Sequence, residues 1–179
     1  MTERIETDRL FIRRFAESDW QDLYEYLSDE EVVKFEPYGV FAREDCVAEA
    51  KRRSENPAFW AVCLSEGGKL IGNIYLNEAE PKFSTWELGY VFNPKFQGMG
   101  YASEACRAMV SYAFDHLAAH RIVAMCDPLN VPSWKLLERL NMRRESHKLK
   151  NVYFRRSAQG IPLWKDTYGY AVLAEEWKP

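Results

Sequence analysis

The chain has 179 residues and a mass of 21.0 kDa, with 47% hydrophobic and 28% charged residues, the size and make-up of one globular domain with a real core. A net charge of -3 excludes the basic face that a broad nucleic-acid footprint requires, but leaves a basic protein or a cationic amine open as substrate. No apolar run approaches a bilayer span, and residues 1–14 carry charges every few positions with no apolar signal segment, so no membrane role and a cytoplasmic location are expected.

In chain order, residues 9–14 read as a strand. Ser18 is a candidate N-cap for a helix carrying Trp20, Leu23, Tyr24 and Leu27 at helical spacing. A second helix is expected over residues 43–53. Residues 58–64 and 70–76 read as strands joined through Glu66-Gly67-Gly68-Lys69, and residues 85–92 as another. Ala102, Ala105, Cys106, Met109, Val110 and Ala113 recur at three- and four-residue intervals, an amphipathic helix running to about His120. Residues 121–126 form a short apolar strand. Pro132 suits the first position of the next helix, and Asn141 can end it in the left-handed conformation. Strands around residues 144–154 and 168–173 close the chain, joined through Gln159-Gly160. The expected architecture is one α/β domain over residues 1–179: a mixed, mostly antiparallel sheet of about seven strands with about four helices.

Cys46, Cys63, Cys106 and Cys126 stand far apart without a C-x-x-C pair and read as reduced packing thiols. His116 and His120 are four apart but lack a third ligand, so no metal is expected.

The informative stretch runs from Glu87 through Asn93-Pro94 to Ala105: a strand, a loop with two glycines, and a helix opening directly from that loop. The first turn of a helix has amides without internal partners and the positive end of the dipole. Gly98 and Gly100 let a ligand approach that backbone without Cβ interference. The result is a cradle for a diphosphate. A P-loop is excluded because Gly-Lys-Ser/Thr is absent. A dinucleotide fingerprint is disfavoured because Ser103 stands where the third glycine belongs, and because repeated β-α-β units are missing.

Gln97-x-x-Gly100-x-Ala102 resembles the acyl-CoA signature of the GNAT N-acetyltransferase superfamily. Asn130-x-x-Ser133, followed by Leu137-Glu138-Arg139-Leu140-Asn141-Met142, is similar to that family's later motif, with Asn141 and Met142 departing from its Leu-Gly-Phe ending. Thr7-Asp8-Arg9-Leu10-x-Ile12-Arg13 and the C-terminal stretch Asp166 to Trp177, ending Glu175-Glu176-Trp177, resemble the branch of ribosomal-protein N-terminal acetyltransferases containing RimJ and RimL. Four motifs stand in register along nearly the whole chain.

The resemblance implies a GNAT fold whose central strands splay, and an acyltransferase that uses acetyl-CoA as co-substrate with no metal. Main-chain groups of Gln97, Gly98, Met99, Gly100, Tyr101, Ala102 and Ser103 would hold the diphosphate. Val91 and Phe92 would bind the pantetheine arm through their backbone, with Gly89 as the bulge that starts the splay or merely a weak point in the strand. Asn130 would bond the coenzyme arm or cap its helix. Ser133 would protonate the departing thiolate or be a solvated first-turn serine; relatives often use a Tyr four positions further on, where this chain has Leu137. Glu87 is the candidate general base or a strand-edge carboxylate that attracts the ammonium.

Phe35 and Tyr38, in an aromatic loop, would wall the acceptor site or plug the core. The basic run Arg143, Arg144, His147, Lys148 and Lys150 is a solvated strand face or a docking surface for acidic acceptors. The expected reaction is direct attack by an amine in a ternary complex, the acceptor a protein or peptide N-terminus. The alternatives are a small amine, such as a polyamine or antibiotic, and a non-catalytic acyl-CoA-binding module. A monomer or homodimer is expected.

Overall fold

The computed structural model describes residues 3–178; Met1, Thr2 and Pro179, on which part of the N-terminal and one-domain expectations rest, lie outside the described residues. The chain begins with strands β1 (Arg4–Glu6) and β2 (Leu10–Arg14), then helices α1 (Trp20–Leu27), α2 (Glu30–Val33) and α3 (Arg43–Ser54). Strands β3 (Phe59–Leu64), β4 (Leu70–Glu80) and β5 (Thr85–Phe92) follow, then α4 (Tyr101–His116), β6 (Arg121–Cys126), α5 (Val131–Arg139), β7 (Arg143–Val152) and β8 (Lys165–Leu173). They form one eight-stranded sheet ordered β1-β2-β3-β4-β5-β6-β8-β7. Every pairing is antiparallel except β5 with β6, which are parallel and joined by the crossover helix α4.

The expected α/β architecture holds, with two additions. β1 is three residues long and exists through its pairing with β2, where Arg4 faces Arg13 and Ile5 faces Ile12. α2 is a single turn whose N-cap, Asp29, accepts the N–H of Glu31 at 2.9 Å. Ser18 is not the cap of α1: it lies inside a short 3₁₀ turn, and the carboxylate of Asp19 accepts the Ala16 N–H at 2.8 Å while pairing with Arg13. Helix α4 ends at His116 and Ala118 takes a left-handed φ of 50°, so His120 is not on the helix with His116. α5 begins one residue before Pro132. Asn141 takes a φ of 57°, as its place after a helix suggests.

Strand alternation divides the core between two faces. Leu10, Ile12, Trp60, Val62 and Leu88 pack with Met109 and Val110 of α4 and Leu136 and Leu137 of α5. Phe15, Ala61, Cys63 and Leu70 pack with Leu23 and Leu27 of α1 and Cys46 and Ala50 of α3. The periodic positions Ala105, Cys106, Met109, Val110 and Ala113 are all fully buried. Each large side chain among them contributes about 1.5–3 kcal/mol. Cys46, Cys63 and Cys106 are buried free thiols, and Cys126 is half-buried at the end of β6. Among the described residues no helix is long and apolar enough to cross a membrane.

Candidate active site

β5 and β6 pair at only three positions, Thr85 with Arg121, Trp86 with Ile122, and Glu87 with Val123. Beyond Glu87 the two strands part. β5 continues to Phe92 bonded to β4 alone, and β6 continues to Cys126 bonded to β8 alone. Leu88 to Phe92 and Ala124 to Cys126 therefore turn one backbone edge each toward a wedge-shaped gap. Gly89 is not a bulge: it pairs regularly with Tyr75, and the register shift between β4 and β5 lies at Glu78/Glu80. The parting begins before the glycine is reached. The glycine the wedge does require is Gly72, opposite Phe92 on β4. A Cβ there would lie 2.4 Å from the Phe92 ring and 2.8 Å from the Val91 carbonyl oxygen.

After Phe92 the chain is pinned by Asn93, which is fully buried. Its N–H donates to Ile71 O at 2.9 Å, its Oδ1 accepts the Lys95 N–H at 3.0 Å, and its Nδ2 donates to Glu25 at 3.2 Å. Lys69 donates to both Glu25 and Asp22 of α1, so the start of the loop is tied to the opposite face of the sheet. Gly98 and Gly100 then take φ values of 77° and 83°, a region that disfavours side chains. Around Gly98 a Cβ would meet nothing within 4 Å. Gly100 is the N-cap of α4, and its carbonyl accepts the Glu104 N–H at 3.0 Å. Among the described residues no acceptor faces the N–H groups of Gly98, Met99, Gly100, Tyr101, Ala102 or Ser103. These are orphan amides at the positive end of a sixteen-residue helix. Gln97 is exposed, and its extended backbone leads into this loop.

Two guanidinium groups flank the loop. Arg9 donates Nη1 to Met99 O at 2.9 Å and Nε to Glu104 at 2.7 Å, and lies 4.6 Å from the centre of the Tyr101 ring. Glu104 also accepts the Arg9 N–H and the Thr7 hydroxyl. Burial would raise this carboxyl, but the Thr7 and Arg9 bonds outweigh it and hold it below its ordinary value. From the other side Arg139, at the end of α5, donates Nε to Ser103 Oγ at 3.3 Å. Arg9 and Arg139 both stand inside motifs, but neither contact is legible in the sequence, because both depend on tertiary structure.

Asn130 is the N-cap of α5; its Oδ1 accepts the Ser133 N–H at 3.4 Å. Ser133 sits in the first turn with its hydroxyl 3.1 Å from the hydroxyl of Tyr90, which also donates to Ser133 O at 2.9 Å. Leu137 is fully buried in the core and offers no proton. Glu87 stands where β5 and β6 part, on the sheet face opposite the Tyr90 side chain, and burial raises its carboxyl above the usual range.

Phe35 and Tyr38 divide. Phe35 lies against the ammonium of Lys165, 5.0 Å from its ring centre, whereas Tyr38 packs edge-on to Phe41 and into the α1–α3 core. Lys165 pairs with the nearly buried Asp127 at 2.8 Å and donates to Lys34 O, so the start of β8 closes over the aromatic loop. Between Phe35 and Tyr38, burial pushes the Glu36 carboxyl up to about 7, against the pull of Tyr38, Arg53 and Lys165. The sequence offered one signal for Glu36, a lone carboxylate inside an aromatic run. Along β7 two members of the basic run have acidic partners: Arg143 pairs with Glu145 and Glu176, and His147 with Asp166. At the end of the chain Trp177 donates Nε1 to Ser111 Oγ of α4 at 2.9 Å.

Residues 9–143 match the acetyltransferase (GNAT) domain family. The chain belongs to the GNAT acetyltransferases. It is 42% identical to the uncharacterized N-acetyltransferase YnaD of Bacillus subtilis (strain 168), across 97% of this chain and 98% of that protein. It is 28% identical to the ribosomal protein uS5-alanine N-acetyltransferase of Escherichia coli (strain K12), across 98% of this chain and 93% of the relative. The crystal structure of a GNAT-family acetyltransferase from Bacillus anthracis superposes with a TM-score of 0.88 at 38% identity, covering 97% of this chain and 100% of that one. This GNAT protein is therefore an acyltransferase, and the fold implies acetyl-CoA as its co-substrate. The residues present fit that molecule: unpaired amides where a diphosphate needs donors, and open space at Gly98 where a Cβ would intrude. Among the described residues no group of three His, Cys, Asp or Glu could hold a metal.

Proposed function

We propose that this GNAT protein transfers the acetyl group of acetyl-CoA to the α-amine of a protein or peptide N-terminus, by direct attack within a ternary complex. What carries the reading is the wedge between β5 and β6, which opens beside the amide-lined loop and has Glu87 at its apex. In this reading the amides of Gly98 to Ser103 grip the diphosphate; the Gln97 N–H, expected among them, is spent on Pro94 O at 3.1 Å. The backbone edges of Val91 and Phe92 take the pantetheine arm as a strand would. An N–H of that edge stabilises the oxyanion as the amine adds. Glu87 removes a proton from the amine, directly or through water, and Ser133 supplies one to the departing sulfur. Asn130 holds α5 in place by capping it, and its amide nitrogen is left for the coenzyme arm. Phe35 walls the acceptor site, with Tyr38 supporting the loop from the core side.

Energetics favour an N-terminal acceptor. An α-amine with a pKa near ~8 costs roughly 1.4 kcal/mol to deprotonate at pH 7, against about 4.6 for a lysine near ~10.4. One carboxylate and the positioning of two bound reactants suffice for the former. The relative named as a ribosomal protein uS5-alanine N-acetyltransferase supports a protein as the acceptor. The test is thiol release and mass spectrometry with acetyl-CoA and peptides differing at their first residue, set against polyamines and aminoglycosides. Acetylation at peptide N-termini is the expected result. Modification of only the small amines would overturn the acceptor, and tight coenzyme binding without transfer to any amine would leave a non-catalytic module.

A further inference from the structure

The proton donor in this site stands on a support from the neighbouring strand. Tyr90 lies on β5 beyond the parting, with its side chain on the α4–α5 face against the first core cluster. Its hydroxyl donates to Ser133 O at 2.9 Å and sits 3.1 Å from Ser133 Oγ. Ser133 is thus held at three points: its N–H by Asn130, its carbonyl by Tyr90, and its hydroxyl oxygen by the same phenol. Cys126, at the end of β6, also neighbours the Ser133 side chain.

A free serine rotor has three staggered positions, and a first-turn serine in solvent samples them. The phenol gives its one proton to the Ser133 carbonyl, so across the 3.1 Å contact the serine hydroxyl is free to donate to the phenol oxygen. That bond holds Oγ in one rotamer between β5 and β6, while its proton can turn about the Cβ–Oγ bond toward a developing thiolate. Burial raises the Tyr90 phenol well above its ordinary value, which keeps it a neutral donor throughout the working range.

We propose that Tyr90 is a positioning residue that holds the Ser133 hydroxyl oxygen where its proton can reach the thioester sulfur. This rests on the role given to Ser133 above. As the carbon–sulfur bond breaks, its electron pair goes to sulfur and the Ser133 proton follows, giving the free thiol. The serine oxygen regains a proton through solvent from the one the amine nitrogen gives up on becoming an amide. Tyr90 keeps its own proton from start to finish.

The experiment is a double-mutant cycle on kcat and on the acetyl-CoA KM, with Tyr90→Phe, Ser133→Ala and the pair. Acceptor-independent hydrolysis of acetyl-CoA, which breaks the same bond, is read in parallel. Tyr90→Phe should lower kcat about tenfold with the KM unchanged, because misaligned groups lose rate before they lose binding. Ser133→Ala should lower it by at least as much, and the double variant should be no slower than Ser133→Ala alone. If Tyr90→Phe slows the Ser133→Ala enzyme as much as it slows the parent, Tyr90 acts without Ser133 and the proposal fails. It fails equally if Tyr90→Phe leaves kcat intact while Ser133→Ala does not, and in that case the role of Ser133 survives. If Ser133→Ala leaves both reactions unchanged, or the parent protein releases no thiol by either route, Ser133 is not the donor and both readings fall.

Discussion

Arg9 donates Nη1 to the carbonyl oxygen of Met99 at 2.9 Å, across 90 residues of sequence. The same guanidinium grips Glu104 one turn further on, so a residue in the turn just before β2 sets both the loop and the first turn of the helix behind it. The amides offered to a diphosphate are only as well aligned as this clamp. Arg9→Gln should weaken acetyl-CoA binding about tenfold, since hydrogen bonds to a charged group are worth roughly 1.5–3 kcal/mol and part of that is recovered by solvent. Calorimetric titration checks it, and affinity within a factor of two of the parent would sink the clamp.

Gly98 and Gly67 form a matched pair. Both take a φ of 77°, and in both cases a Cβ would meet nothing within 4 Å. Alanine at either position should cost about 1–2 kcal/mol of stability from the left-handed backbone alone. Only Gly98→Ala should also weaken acetyl-CoA, because Gly67 lies in the turn between β3 and β4. Equal affinity in the two variants would show that nothing approaches the Gly98 backbone.

Glu36 gives a stability that depends on pH. Its folded value of about 7 lies above the ordinary 4.5, so the folded chain retains a proton that the unfolded chain has lost. Stability is therefore greatest below about 4.5 and falls as the pH rises through about 7. Glu36→Gln should match the parent at pH 4.5 and exceed it at pH 8 by about 1–3 kcal/mol, a gain in Tm of roughly 3–8 °C. Thermal melts at the two values decide it. A variant less stable than the parent at pH 8 would mean that Glu36 gains more from Arg53 and Lys165 than burial costs it.

Glu87 should show itself in the pH profile of turnover. Raised by burial, it loses its proton above the usual carboxylate range, and the rate should climb with pH through that point. Glu87→Gln should flatten this limb and lower kcat on the order of 100-fold while leaving acetyl-CoA affinity unchanged. An unchanged profile would remove Glu87 from the chemistry.

Local patterns carried much of this fold. β5 runs from Thr85 to Phe92 and β6 from Arg121 to Cys126, as their composition indicated, and the helical repeat of α4 marks the residues that are buried. What stayed hidden depends on distant partners. β1 is too short and too charged to announce itself, and it forms because Arg13 to Phe11 lie opposite. Serine favours caps, but Ser18 lies inside a 3₁₀ turn, and Asp19, at the N-cap position of α1, spends its carboxylate on the Ala16 N–H and on Arg13 and caps nothing in α1. The glycine loop could be read because glycine spacing before a helix is a local signal. Arg9, Tyr90 and Arg139 could not, since nothing beside them in the chain names Met99, Ser133 or Ser103. A glycine inside a strand suggests a bulge or a weak point, yet Gly89 pairs regularly with Tyr75 and the strands part already after Glu87.

Because β5 and β6 share only three rungs, the molecule is two leaves on a short spine. One leaf owns the anchoring amides and the other owns Ser133. In the proposed reading a coenzyme arm lying between them completes the ladder that the polypeptide leaves unfinished, and loading it becomes the last step of assembling the enzyme.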